Sequence, residues 1–98
     1  MSDAGGSYDL TNTNLTFDGA ASTVLPNSSL ISSIIYKPTN YGATDSFSTP
    51  APAGPYSSSL DAFNLTSPNG AWKLFLIDDV AVDLGSIANG WSLIITTN

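Results

Sequence analysis

The side chains of this sequence with the clearest chemical potential are its carboxylates. All eight acidic residues are aspartates, and the 98 residues contain no glutamate, histidine or cysteine. A Ser-His-Asp or Cys-His arrangement is therefore impossible, and the nitrogen and sulfur ligands that zinc and copper prefer are missing. Calcium accepts carboxylate, amide and backbone oxygens in flexible geometry. The chemistry best suited to these residues is thus the binding of a hard cation through oxygen.

Four of the aspartates are the candidate calcium ligands. Asp78, Asp79 and Asp83 share one loop with Gly85, and Asp3 stands in a glycine-rich turn. The loop does not have the ligand spacing of an EF-hand. The alternative is that these carboxylates accept hydrogen bonds from nearby backbone N–H groups and only cap turns. The sequence leaves both interpretations open.

The arrangement of polar residues argues against catalysis. Asp78 and Asp79 are adjacent, so on an extended strand they would face opposite sides, which does not suit paired-carboxylate glycoside hydrolysis. A serine–lysine pair could use only Lys37 or Lys73, and no Ser-x-x-Lys motif occurs. We therefore predict that the chain is not an enzyme.

The charge and composition of the sequence argue against several classes of binding partner. The net charge is −6 with only two basic residues, which disfavours nucleic acid and anionic lipid as partners. No apolar run approaches the roughly 20 residues of a membrane span, so no membrane insertion is expected. Abundant Ser, Thr and Asn favour turns and strand surfaces over helix interiors. This composition is typical of secreted or cell-surface β proteins.

The elements that would position the loops are short strands. Partial alternation or apolar, β-branched content between turn signals predicts four of them, at Tyr8–Phe17, Ile31–Tyr36, Trp72–Ile77 and Trp91–Thr96. Short strands with regular turn signals indicate a sandwich or a barrel. One helical turn is predicted within Ser57–Phe63, with Leu60 and Phe63 at a spacing of three and facing the core.

The aromatic residues have two interpretations. Trp72 and Trp91 occupy the core-facing phase of their predicted strands, which favours packing in the core over a sugar-binding platform. Asn40–Pro55 reads as a proline-rich loop that aromatic side chains anchor to the body of the domain. Tyr41 and Tyr56, in and just after this loop, are the better candidates for binding a sugar ring.

The last third of the chain carries a more specific pattern. Asn69–Asp79 combines a Gly-x-Trp strand with an aspartate-rich turn, and Asp83–Ile87 and Gly90–Ile95 follow with Asp-x-Gly and a Trp-Ser-Leu strand. This resembles the closing motif of the P domain (P/Homo B module) of subtilisin/kexin-type proprotein convertases and of secreted bacterial proteins. Ser2–Tyr8 and the segment beginning at Tyr36 are similar to earlier parts of the same module, in the same order.

The resemblance implies an all-β fold, a jelly-roll-like antiparallel β-sandwich formed by residues 1–98 as a single domain that lacks the first strands of the family module. It implies a non-catalytic structural or interaction role. A sandwich without its opening strands would expose an unpaired edge, which a strand from a protein partner or from another copy could fill. We therefore expect strand pairing and a homo-oligomer. The alternatives are a self-assembling surface or filament subunit and a calcium-dependent or carbohydrate-binding module.

The calcium hypothesis has a direct test. A ligand that binds only the folded state raises its stability by about 2.7 kcal/mol at a hundredfold excess over Kd. Melting temperatures measured in excess calcium and in chelator should therefore differ by several degrees. Equal midpoints would dismiss the site formed by Asp3, Asp78, Asp79 and Asp83.

Overall fold

A computed structural model describes residues 4–43, 45–77 and 85–97. Three strands form a single open sheet in the order β2-β1-β3, with all neighbours parallel. The strands are β1 (Leu15–Phe17), β2 (Ile35–Tyr36) and β3 (Trp91–Leu93). β1 is therefore the central strand. It pairs on one side with β2, which follows it in the sequence, and on the other side with β3, which begins at Trp91.

The predicted jelly-roll β-sandwich is wrong. The described residues contain one sheet of three short strands, and none of its pairings is antiparallel. Alternation of apolar and polar residues identifies a strand but does not encode the direction of its partner. The segments between successive strands, residues 18–34 and 37–90, are long enough to return the chain for parallel pairing, which needs a crossover of about a dozen residues or more.

The core lies on one face of this sheet. Leu15, Phe17, Leu25 and Tyr36 are its buried apolar residues, and Trp91 and Leu93 pack against them while only partly buried. In β1 the burial alternates, with Leu15 and Phe17 buried and Thr16 half-buried, as the sequence predicted. The other face is open to solvent at Ser92 and Ile35. A parallel sheet is normally covered on both faces, so this one has an uncovered side.

The outer edge of β2 is paired with the segment before it. The Lys37 N–H donates to the Thr23 carbonyl at 2.9 Å, and Val24 forms a parallel bridge with Lys37. The Leu25 N–H donates to Thr39 Oγ1 at 3.2 Å. Pro38 has no N–H to continue the ladder, which is why β2 ends where the sequence predicted. This side of the sheet is thus protected by the chain itself.

The glycine pair near the start ties its turn to the core. Gly5 has φ +94° and Gly6 has φ +60°, values that a side chain at Cβ disfavours. A Cβ on Gly6 would lie 2.9 Å from Ser28 Cα, so only glycine permits this approach. The Gly5 N–H donates to the Pro26 carbonyl at 2.7 Å, directly after buried Leu25.

Two other predicted elements have different outcomes. The helical turn is confirmed as a 3₁₀ turn at Leu60–Phe63, which begins where Ser59 accepts a hydrogen bond from the Asp61 N–H. It contributes no buried residue, and half of the Phe63 surface remains exposed. The strand predicted at Trp72–Ile77 is wrong, because residues 71–77 pair with no strand. The strands predicted at Tyr8–Phe17, Ile31–Tyr36 and Trp91–Thr96 are confirmed only over the shorter ranges given above.

The helices of the described ranges include none with the length and apolar character needed to cross a bilayer.

The contribution of the sheet face to stability can be measured at Phe17. Phe17→Ala should lower the free energy of unfolding by about 3–5 kcal/mol, because it removes a buried ring from the central strand. Leu65→Ala is the control, since this side chain is fully exposed and its removal should change stability by less than about 0.5 kcal/mol. Urea denaturation measures both. Similar losses in the two variants would contradict the assignment of the core.

Candidate functional site

The predicted calcium ligands lie outside the described residues. This holds for all four, Asp3, Asp78, Asp79 and Asp83. Among the residues that are described, no group of three or more His, Cys, Asp or Glu could hold a metal ion. One described aspartate acts as a turn cap, because Asp18 Oδ1 accepts a hydrogen bond from the Ala20 N–H at 2.9 Å. Calcium binding therefore stays a prediction from the sequence.

The tyrosines considered for sugar binding use their hydroxyl groups internally. Tyr41 is half-buried, and its O–H donates to the Leu25 carbonyl. The Tyr56 O–H donates to the Pro52 carbonyl, and its ring meets Phe47 edge-to-face with centroids 5.7 Å apart. The loop before Tyr56 is thus anchored through aromatic residues, as the sequence suggested. Both hydroxyl groups are thus engaged within the chain.

The two tryptophans differ in their surroundings. Trp91 packs against the core cluster, in agreement with its phase in β3. Trp72 is half-buried and contacts Phe63 instead, with ring centroids 4.9 Å apart and an interplanar angle of 69°. Its Nε1–H donates to the Pro68 carbonyl at 2.9 Å, which fixes the indole. Phe63 and Trp72 therefore form a braced aromatic pair away from the sheet core.

This aromatic pair lines a groove of about 850 Å³. One wall is the segment Leu93–Thr97, which continues from β3. The opposite wall comes from the 3₁₀ turn and the residues after it, and Asp18–Ala20 contribute the end of β1. Leu60 lies over Gly19, where an added Cβ would be 3.6 Å from the Leu60 Cβ. The groove thus lies where β1 and β3 both end.

The edge of β3 adjoins the groove. The Ile94 N–H donates to the Phe17 carbonyl at 2.9 Å, so it points toward β1. Because backbone groups alternate along a strand, those of Trp91 and Leu93 point away from β1. Within the described part of the chain these outward groups have no hydrogen-bond partner. Leu93 belongs to both features, because its backbone forms part of the edge and it also lines the groove.

A smaller cavity lies beneath the sheet. Its volume is about 250 Å³, and it separates the core side chains Leu15, Phe17 and Leu25 from residues 74–77. Leu76 and Ile77 are more than half exposed. An incompletely filled interior loses dispersion contacts on its lining. The segment predicted as a strand therefore flanks the core without closing over it.

Comparison of the chain with family profiles, with characterised proteins and with solved structures returned no match. The P-domain resemblance consequently rests on the sequence motifs alone.

The groove was not predicted from the sequence. The spacing of Leu60 and Phe63 did indicate that they share a side, but the side they share faces the groove and not the core. Leu65, which also lines the groove, is fully exposed with φ +65°, and neither property is visible in the sequence.

The tyrosine hydrogen bonds can be tested as a matched pair. Tyr41→Phe should lower the free energy of unfolding by about 1 kcal/mol, because it leaves a carbonyl in half-buried surroundings without its donor. Tyr56→Phe removes an equivalent bond at an exposed position, where water replaces the donor, and should cost less. Urea unfolding of both variants measures the difference. A larger loss at Tyr56 would contradict the placement of these rings.

Proposed function

We propose that the chain is a non-catalytic interaction module that binds an added β-strand along the open edge of β3. The observation that carries this proposal is the pair of residues Trp91 and Leu93, whose outward backbone groups lack a partner in the described structure. Unpaired N–H and C=O groups along an edge are a template for another strand. Recognition by strand addition uses such an edge for affinity and neighbouring pockets for specificity.

The composition of the edge supports this role. Proteins protect a free edge by keeping the strand very short or with lysine, proline or a bulge. β3 is short, with three residues. The sequence of β3 is Trp-Ser-Leu, which contains neither lysine nor proline, and its ladder with β1 runs without a bulge. The opposite edge, at β2, is paired with Val24 through the bridge to Lys37. Of the two edges, that of β3 is the one open to a partner.

The apolar surface supports it as well. Ile94 and Ile95 continue from β3 and are each about two-fifths exposed, and Phe63 across the groove is half exposed. Burial of apolar surface contributes about 25 cal/mol per Å². A strand placed here would therefore gain both backbone hydrogen bonds and apolar contacts. The P-domain resemblance, with its structural or interaction role and its secreted or cell-surface setting, points in the same direction.

A peptide-display experiment tests strand addition. Random peptides of about seven residues, selected on the domain, should slow hydrogen exchange of the Leu93 amide, because a paired amide is shielded from water. The Ile94 amide is the internal control, since it already donates to Phe17 and should be protected without peptide. Exchange is read residue by residue by NMR. Selected peptides that bind without protecting Leu93 would contradict the proposal.

A backbone substitution isolates the same hydrogen bond. An ester in place of the Leu93 amide removes the outward N–H and also makes the Ser92 carbonyl a weaker acceptor. Peptide binding should weaken by about two- to tenfold, and urea unfolding checks that the fold persists. The chain contains no cysteine. Ligation through Ala88→Cys followed by desulfurisation therefore returns the native alanine. If Leu93 becomes protected as the concentration of the domain alone rises, the added strand comes from another copy, which is the self-assembling alternative.

A further inference from the structure

We propose that the strand bound at this edge belongs to a cationic protein segment, an extended peptide in which lysine or arginine alternates with apolar residues. This inference rests on the proposed function and specifies the chemistry of its partner. The open edge of β3 supplies backbone pairing but no sequence preference. The preference for particular side chains comes from the adjoining groove. Its charged lining residues are all acidic, and it has an aromatic pair on its lining.

The charged side chains that line the groove are all negative. Asp18 and Asp61 are the charged residues among those that line it. The two basic residues of the chain, Lys37 and Lys73, are not part of its lining. The net charge of −6 extends the same sign over the whole molecule. Electrostatic complementarity of this kind selects partners and speeds their encounter more than it raises affinity.

The aromatic wall suits the same kind of side chain. Phe63 and Trp72 meet edge-to-face, and the bond from the Trp72 Nε1–H to Pro68 holds the indole in place. Lysine and arginine pack their methylene stems on apolar surface while their charged ends stay in water. A cation near an indole face gains further electrostatic attraction.

The dimensions fit a short extended peptide. The wall of the groove that continues from β3 is the five-residue segment Leu93–Thr97. At about 3.3 Å per residue, a fully extended segment of this length spans about 16 Å, which matches an added strand of about five residues. Side chains of a strand alternate between two sides. The basic set would face the two aspartates of the groove, and the apolar set would point to the other side of the added strand.

A second copy of this chain is a poorer occupant. It would bring a further charge of −6 to a groove that already carries two aspartates. Its own edge segment, Trp91–Thr97, contains no basic residue. Like charges placed close together oppose association. The charge of the groove thus favours a cationic partner over self-pairing.

Three synthetic peptides of seven residues test the proposal, each alternating valine with lysine, glutamine or glutamate. Binding is measured by calorimetry, and pairing is measured by exchange of the Leu93 amide. The lysine peptide should bind most tightly and the glutamate peptide least. At about 1 M ionic strength, where charges are screened beyond about 3 Å, the three affinities should converge.

Charge-neutralising variants locate the effect. Asp18→Asn and Asp61→Asn should each weaken binding of the lysine peptide by up to about fivefold and leave the glutamine peptide unchanged. Asparagine retains a side-chain oxygen, so the cap on the Ala20 N–H is preserved. Asp45→Asn is the matched control, because it makes the same change in net charge away from the groove lining. Urea unfolding confirms that each variant folds.

The outcomes separate the two proposals. Leu93 protection with a preference for the lysine peptide, lost in Asp18→Asn or Asp61→Asn but not in Asp45→Asn, supports both. Leu93 protection by the three peptides alike, or by a second copy of the domain in sedimentation and exchange, overturns the cationic partner and leaves strand addition standing. Binding of the lysine peptide without Leu93 protection overturns strand addition itself.

Discussion

The parallel ladder between Leu15–Phe17 and Trp91–Leu93 is the interaction on which the remaining structure depends. It places Trp91 and Leu93 against the buried side chains of β1, and so completes the only core that the described residues contain. It also directs the Ile94 N–H toward Phe17, which turns the backbone groups of Leu93 outward. The same pairing therefore creates the hydrophobic cluster and exposes the edge beside it.

A sheet that is covered on only one face buries little apolar surface, so its free energy of unfolding is small. Leu15, Phe17, Leu25 and Tyr36 are buried, but the cavity beneath them is incompletely filled and many large apolar residues remain in contact with water. Burial of exposed apolar surface by a partner is favourable in proportion to the area removed from water. Binding a strand at β3 would thus stabilise the fold and form a complex in one event, because anything that binds only the folded state raises its stability.

The sequence predicted those features that depend on local patterns. Leu15 and Phe17 alternate with a polar residue and form β1, Pro38 ends β2, and the spacing of Leu60 and Phe63 marks a helical turn. The direction of pairing was predicted wrongly, as antiparallel, because it depends on how distant segments meet and not on side-chain period. Trp72–Ile77 shows why alternation is insufficient. Its apolar residues alternate as in a strand, yet no described segment offers it a ladder of hydrogen bonds.

The candidate site was beyond prediction for a related reason. Asp18, Asp61 and Trp72 are far apart in the sequence and belong to no common motif. They line one groove only because the end of β1 and the 3₁₀ turn meet through Gly19 and Leu60. A motif such as Asp78-Asp79 attracts attention because its members are neighbours in the chain. Residues that fold together from separate segments give no such signal.

The order of the strands also has a consequence during synthesis. β1 lies at the centre of the sheet, but one of its two neighbours is translated long after it. At about 5–20 residues per second, the ribosome needs several seconds to pass from Phe17 to Trp91. For that interval the central strand lacks one of its two neighbours, so Leu15 and Phe17 lack the cover that Trp91 and Leu93 later provide. The sheet can thus be completed only after β3 has left the exit tunnel.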